Sequence, residues 1–227
     1  MLKETTIQNT EVVIAALNEE VGVGLTIKEM AENLPTNHIV VIDGHSHDRT
    51  VEVAKDNGAD ILFQEGRGKG DAIMKAVEYL NPESNYVVLT DADYTYPAKY
   101  VPEMIEILEQ DDSVGMVCGN RFGGEVDGKA LKTQFYIGNK MLALAHSVLN
   151  GVELNDPLTG LRVVRAEILR DWRIKSKGFD IEVELNTEVQ KQGYAIVEIP
   201  IGYRERIGEK KLKIKHGVTI LRRMLIF

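Results

Sequence analysis

Between residues 11 and 121 the chain alternates between five short apolar runs and four stretches with helical spacing. The runs are "EVVIAAL" (11–17), "HIVVID" (38–43), "ADILFQ" (59–64), "NYVVLTDAD" (85–93) and "VGMVCGNR" (114–121). Helical spacing covers 19–34, 48–58 (closed by Gly58) and 69–80. A fourth helix runs to 110, with Pro97 in its first turn and Thr95 or Tyr96 as its cap. Strand runs separated by helix-length connections leave little choice of topology. They predict an α/β fold with a mainly parallel central sheet and helices on both faces.

Sheets of this kind bind ligands beyond the carboxyl ends of their strands. That edge receives "NEE" after the first strand, "DGHSHD" after the second, "EGRGKG" after the third and "DAD" after the fourth. Asp91 and Asp93 stand one residue apart at a strand end, where i and i+2 side chains share a side. Two such carboxylates repel unless a cation neutralises them, and hard oxygen ligands suit Mg²⁺ or Mn²⁺. The plainer reading has one Asp capping the next helix and the other solvated. "EGRGKGDAI" (65–73) reads as a phosphate cradle, its glycines admitting a ligand and Lys69 starting a helix. It is not a P-loop, since Gly70 follows Lys69 where Ser or Thr is required. "GVGLTI" (22–27) lies inside a helical pattern and ends in Ile27, so a dinucleotide fingerprint is set aside. His45 and His47 form a loop pair without the further ligands a metal site needs.

The second half is less regular. Residues 129–150 and 180–192 read as helices, 155–160 ("NDPLTG") as a turn and 194–201 as a strand. Residues 212–227 place Leu212, Ile214, Val218, Leu221, Leu225 and Ile226 among basic residues, an amphipathic helix of the kind that lies on a membrane surface or docks on its own domain. From Arg204 to Arg223 there are eight Arg or Lys against two Glu, although the whole chain carries a net charge of −8. The acidic total argues against a nucleic-acid partner, and the basic end calls for an anionic one. No run of about 18 apolar residues predicts a membrane span, and "MLKETTIQNT" has no apolar signal core. The single cysteine, Cys118, lies in an apolar run and reads as inert core. These features point to a cytoplasmic protein, peripheral on the membrane's cytoplasmic face. Trp172 is expected to be partly buried.

Eight segments then resemble, in order and spacing, the inverting family 2 glycosyltransferases of GT-A fold, most of all the polyprenyl- (dolichyl-) phosphate mannosyl- and glucosyltransferases. They are "VVIAALNEE", "VVIDGHSHDRT", "GRGKGDAI", "TDADYTYP", "GNRF", "DPLTGLR", "GFDIEVEL" and "EIPIGYRERIGEKKL". The resemblance covers nearly the whole chain. It implies a GT-A catalytic unit over 1–205 and a membrane- or acceptor-facing segment over 206–227. It implies donor contacts from Leu17, Asn18, Glu19, Asp43, Arg67, Lys69, Gly70, Asp91, Ala92 and Asp93. Asp91 and Asp93 would hold Mg²⁺ or Mn²⁺ against the donor diphosphate. Arg121, Asp156, Glu182, Arg206 and Lys211 would face the acceptor and its phosphate, with Arg121 counted among the catalytic groups. The sequence departs from the family where Ala15-Ala16-Leu17 replaces P-T-Y, where Gly44 and His45 enter the usual D-D-G-S, and where Thr95 replaces a Gln.

The implied reaction moves mannose or glucose from GDP-mannose or UDP-glucose to a polyprenyl phosphate. A phosphate monoester is mostly dianionic at neutral pH and needs no general base, whereas a hydroxyl acceptor does. The basic amphipathic end favours the lipid phosphate. Two alternatives stand beside it: a family 2 transferase with a soluble sugar or phosphorylated metabolite as acceptor, and a nucleotide-sugar-binding protein without catalysis. A sugar nucleotidyltransferase would need a Gly-rich loop with Arg directly after the first strand, where "NEEVGVG" stands.

Overall fold

The computed structural model describes residues 2–124, 133–208 and 215–226. Seven strands form one sheet in the order β3-β2-β1-β4-β6-β5-β7. They are β1 (Thr10–Ala16), β2 (Ile39–Asp43), β3 (Asp60–Phe63), β4 (Tyr86–Asp91), β5 (Val114–Asn120), β6 (Arg162–Arg165) and β7 (Ala195–Pro200). Every pairing is parallel except those of β6, which runs antiparallel to both β4 and β5.

The helices are α1 (Glu4–Gln8), α2 (Gly22–Asn33), α3 (Thr50–Asp56), α4 (Lys69–Glu78), α5 (Val101–Gln110), α6 (Thr133–Asn150), α7 (Ala166–Asp171), α8 (Ile181–Lys191) and α9 (Lys215–Met224). Successive strand residues serve opposite faces of the sheet. Val12, Ile14 and Val88 pack with Ile27, Met30 and Met104 on one face. Val13, Val87 and Leu89 pack with Ile73, Ile168 and Leu185 on the other. Each such side chain contributes about 1.5–3 kcal/mol when fully buried, which is why these runs are apolar at every position rather than at alternate ones. Cys118 is wholly buried, and burial pushes its thiol up to about 11, consistent with inert core. Trp172 is buried as well.

Register places the site. Asp43 pairs with Ala16, Phe63 with Asp43, and Asp91 with Ala15, so four carboxyl ends lie in one row. Because β6 is reversed, its amino end lies towards that row, and the 155–160 turn arrives there one residue before Arg162. β6 and α7 have no counterpart in the sequence pattern, being only four and six residues long. The helix after Pro97 also differs. A 3₁₀ turn (Ala98–Tyr100) intervenes and α5 starts at Val101. Neither Thr95 nor Tyr96 caps it; Thr95 instead donates to Asp93 and Tyr96 is buried. Residues 129–132 of the expected helix, and 209–214 of the basic segment, lie outside the described residues.

The C-terminal helix α9 docks on the body. Ile220 and Met224 are buried with Val183, Arg223 Nε lies 2.8 Å from Asp180 Oδ2, and Asn150 Nδ2 donates to the Met224 carbonyl at 3.0 Å. On the same side His146 of α6 is buried, with Nδ1 2.9 Å from Asn150 Oδ1 and Nε2 3.4 Å from Asn186 Nδ2 of α8. Those partners fix the neutral tautomer with Nδ1 protonated. Burial, reinforced by Arg162 against the Asn150 hydrogen bond, lowers the imidazole from 6.5 to about 4. Between those values the unfolded chain binds more protons, so this contribution to stability is present above 6.5 and is lost as pH falls. Urea unfolding at successive pH values through that window should show a decline of up to about 1.4 kcal/mol per pH unit from this group. The decline should flatten in His146→Gln.

Candidate active site

The Asp91–Asp93 turn is built from three directions. Asp91 is the last residue of β4, and Asp93 lies beyond it in a turn that Tyr94 closes at φ 62°. The pair therefore reaches one cleft through a turn and not, as the i, i+2 spacing suggests, along a continuing strand. Asp93 Oδ1 accepts from the Thr95 hydroxyl at 2.7 Å and the Thr95 amide at 3.2 Å. From below, Gly22 of α2 packs against the turn; a Cβ there would stand 2.5 Å from the Ala92 carbonyl oxygen and 3.0 Å from Asp93 Cα. From the side comes Gly160, where a Cβ would collide with Asp91 Oδ2 and stand 2.9 Å from the Tyr96 ring. The Gly160 amide donates to Tyr96 Oη at 2.7 Å.

Two cations bridge the acids at the strand ends. Lys69 Nζ lies 2.6 Å from Asp91 Oδ1 and 2.8 Å from Glu182 Oε1. Burial alone would lower the Lys69 ammonium; Asp91 and then Glu182 outweigh it and hold the group well above its ordinary value. Arg206 pairs with Glu19 and, through Nη1 at 2.8 Å, with Asp93 Oδ2. Burial and then the Asp91 charge push the Asp93 carboxyl above the usual carboxylate range, with Arg206 and Thr95 opposing them. The segment carrying Arg206 is laid along the same turn, since the Arg204 amide donates to the Thr95 carbonyl at 3.0 Å.

The glycines around Lys69 have a role other than admitting a ligand. Gly68 takes φ 95°. A Cβ on it would strike the Lys177 carbonyl oxygen, and one on Gly70 the Ser176 carbonyl oxygen. They let the start of α4 press against the 175–177 loop. Glu184 holds that loop by accepting from the Lys175 and Ser176 amides at 2.7 and 2.8 Å. The close approach delivers Lys69 to Asp91.

A third cation sits across two tyrosines. Tyr96 and Tyr203 meet edge to face at 5.3 Å, and the Arg121 guanidinium lies 5.3 Å from the Tyr203 ring centre. Arg121 is held in a fork by Asp156, with both side-chain contacts at 2.6 Å. Asn139 of α6 donates to the same carboxylate at 2.9 Å. Burial works against the Arg121 charge, and Asp156, followed by Tyr96, more than restores it. Glu198 of β7 fixes the turn by accepting the Asn155 and Asp156 amides, each at 2.7 Å.

Among the residues singled out from sequence, the structure gathers Glu19, Lys69, Asp91, Ala92, Asp93, Glu182 and Arg206 around one cleft, with Arg121 and Asp156 beyond Tyr96. Asp156 is fully buried and spends its oxygens on Arg121 and Asn139, so it positions a cation instead of lining the cleft. Asp43 is likewise fully buried, accepting from the Ser46 amide at 2.8 Å and hydroxyl at 2.5 Å. Leu17, Asn18 and Arg67 are exposed on the same edge. Asn18 adopts φ 49° and accepts from the His47 amide. His45 stacks on Phe63 at 6.0 Å. Lys211 lies outside the described residues. Gly22, Tyr96, Asn139, Gly160 and Tyr203 escaped the sequence reading. Of these Gly22 carried a signal, because a glycine inside a helical pattern marks close backbone approach.

The acids fit a divalent cation. Among the described residues no three His, Cys, Asp or Glu side chains converge into a full cage. Two carboxylates at the mouth of a cleft, with phosphate oxygens completing the shell, are how Mg²⁺ and Mn²⁺ are usually bound.

Such a sheet, with paired acids at its central strand end and cations around them, fits a glycosyltransferase of GT-A fold. Residues 11–173 match the family model described as Glycosyl transferase family 2, and the chain belongs to that family. It is 35% identical to the dolichyl-phosphate hexose transferase of Haloferax volcanii, over 93% of this chain and 90% of that one. Identity to the undecaprenyl-phosphate mannosyltransferase of Micrococcus luteus is 28%, over 88% and 86%. In fold it resembles glucosyl-3-phosphoglycerate synthase from Mycobacterium tuberculosis, solved with Mn²⁺, uridine-diphosphate-glucose and phosphoglyceric acid. That match has TM-score 0.76 and 21% identity, covering 96% of this chain and 78% of that one.

Two substitutions probe the geometry. Asp156→Asn removes the counter-charge of a largely buried guanidinium, and urea unfolding should show a loss of about 2–3 kcal/mol, the lower end because Arg121 keeps some solvent contact. Gly160→Ala displaces the Asp91 carboxylate and should lower kcat about a hundredfold, with a smaller effect on Tm.

Proposed function

We propose that the protein transfers a hexose from a nucleoside-diphosphate sugar to a polyprenyl phosphate, with mannose from GDP-mannose as the first candidate and glucose from UDP-glucose as the second. The observation that carries this reading is a third cation, Arg121, locked by Asp156 and set beyond Tyr96 from the acids suited to a metal. Among the described residues, Glu19, Asp91, Asp93, Asp156 and Glu182 are each ion-paired. A hydroxyl acceptor would need one of them as general base. A phosphate monoester, with its second pKa near 6, arrives ionised and needs only to be held. The name of the Haloferax relative supports the same acceptor class.

In this reading Leu17, Asn18 and Arg67 frame the nucleoside side of the cleft, with Asp43 fixing the Ser46 turn beneath them, and Lys69 stands on the diphosphate side, with Gly70 and Ala92 packed behind it. Asp91 and Asp93 hold Mg²⁺ or Mn²⁺, which supplies Lewis-acid stabilisation of the departing diphosphate. Lys69 and Arg206 add fixed positive charge around the same carboxylates, preorganised by their ion pairs. Arg121, locked by Asp156, orients the acceptor phosphate; Lys211 and Glu182 are assigned to that side. The catalytic unit, expected over 1–205, takes in Arg206 as well, and the rest of the 206–227 segment faces a membrane surface on its cytoplasmic side.

The test is transfer of labelled sugar from each donor to dolichyl phosphate with Mg²⁺ or Mn²⁺, followed by lipid extraction. Label should enter the lipid phase with one donor and be absent with Asp91→Ala. No label with either donor overturns the proposal. Label appearing only in a water-soluble phosphorylated acceptor replaces it with the soluble-acceptor reading. Thermal stabilisation by GDP or by UDP in the presence of Mn²⁺ identifies the nucleotide.

A further inference from the structure

The outer face of α6 is apolar where a helix of a soluble domain is polar. Its exposed residues include Ile137 (53% exposed), Met141 (67%), Leu144 (67%) and Val148 (75%). Their spacing of four, three and four places them on one stripe. Among described side chains of α6, every exposed position is apolar, Tyr136 and Leu149 completing the set. Its buried side carries Asn139, Ala143 and His146. α9 packs beside it and adds exposed Val218 and Leu221, followed by exposed Leu225 and Ile226 just after the helix. Contiguous exposed apolar surface on this scale marks a contact site.

We propose that α6 lies in the interface of an anionic lipid bilayer, with α9 beside it, and that this face seats the enzyme on its membrane. The inference rests on the acceptor being carried by a lipid. Three observations choose a bilayer over another protein surface. The sequence of α6 has one charged residue, Lys140, and no acid, and that of α9 has Lys215, Arg222 and Arg223 and no acid, with Arg223 turned inward to Asp180 and Arg222 exposed. In a chain of net charge −8, this is a face an anionic surface attracts. Among the described residues no helix is long and apolar enough to cross a membrane, so these helices lie on the surface. Finally, the inner face of α6 supplies Asn139 to the Asp156 carboxylate that grips Arg121. The helix that would touch lipid thus also buttresses the cation assigned to the acceptor phosphate, and that phosphate would enter from headgroup level.

Flotation of the full chain with phosphatidylcholine vesicles, with and without phosphatidylglycerol, tests this in the absence of donor, metal and acceptor. The protein should float with the vesicles, more strongly when phosphatidylglycerol is present. The triple variant Met141→Ser, Leu144→Ser, Val148→Ser should lower the bound fraction about tenfold or more. Its Tm, and its transfer to a short-chain water-soluble prenyl phosphate, should stay unchanged. Three outcomes overturn the proposal: no flotation of the wild type, equal flotation of the triple variant, or a solution dimer that the triple variant dissociates, which would make the face an interface between copies. Because the assay contains no substrate, its failure leaves the transfer reaction standing. Normal flotation with no transfer removes the reaction and leaves the surface.

Discussion

Parallel register gathers acids that repel one another, and the rest of the site exists to make that tolerable. Glu19, Asp91, Asp93 and Glu182 converge at the carboxyl edge of the sheet. Lys69 and Arg206 each bridge two of them. Neither cation comes from a sheet strand. Lys69 is pressed inward by glycines that admit the 175–177 loop, and Arg206 follows a segment hydrogen-bonded along the Asp93–Thr95 turn. Packing that looks remote from chemistry sets where these charges sit. Removing one bridge leaves buried charge uncompensated, which costs far more than the bridge contributes on its own.

The same logic separates the two ends of the cleft. On one side, cations embrace carboxylates suited to a metal and a diphosphate. On the other, Arg121 stands on Tyr203 with Asp156 as its only ion-pair partner among the described residues. Of the tyrosines between them Tyr96 is buried and Tyr203 partly so, and burial raises both phenols, so they stay neutral and act as spacer and hydrogen-bond acceptor. In the proposed reaction a donor phosphate and an acceptor phosphate, both anionic, need separate positive seats, and the two ends of the cleft each carry cations.

Much of this was legible in the chain. Uninterrupted apolar runs gave the parallel strands, because strands buried on both faces cannot alternate. The carboxyl-edge rule then put Asp91, Asp93 and Lys69 together. What the sequence hid was short or long-range. β6 has four residues and no periodicity to reveal it, yet its reversal brings Gly160 and Asp156 to the edge. The glycines of 66–70 advertised a close approach without saying to what, and a loop more than 100 residues away took the place assumed for a ligand. Asp43 and Asp156 looked like exposed contacts because carboxylates usually are. Their hydrogen-bond partners, Ser46 in one case and Arg121 with Asn139 in the other, take them inside.

The bridge between Arg206 and Glu19 spans 187 residues of sequence. Chain synthesis runs from Glu19 towards Arg206, so the sheet strands through β7 have all been made before the second cation exists. Until then Asp93 and Glu19 are without it, and the Asp93–Thr95 turn lacks the backbone hydrogen bonds that Arg204 and Ile207 bring to it. The pair of cations that frames the cleft is therefore complete only once the chain has been made through residue 206, with α9 still to follow.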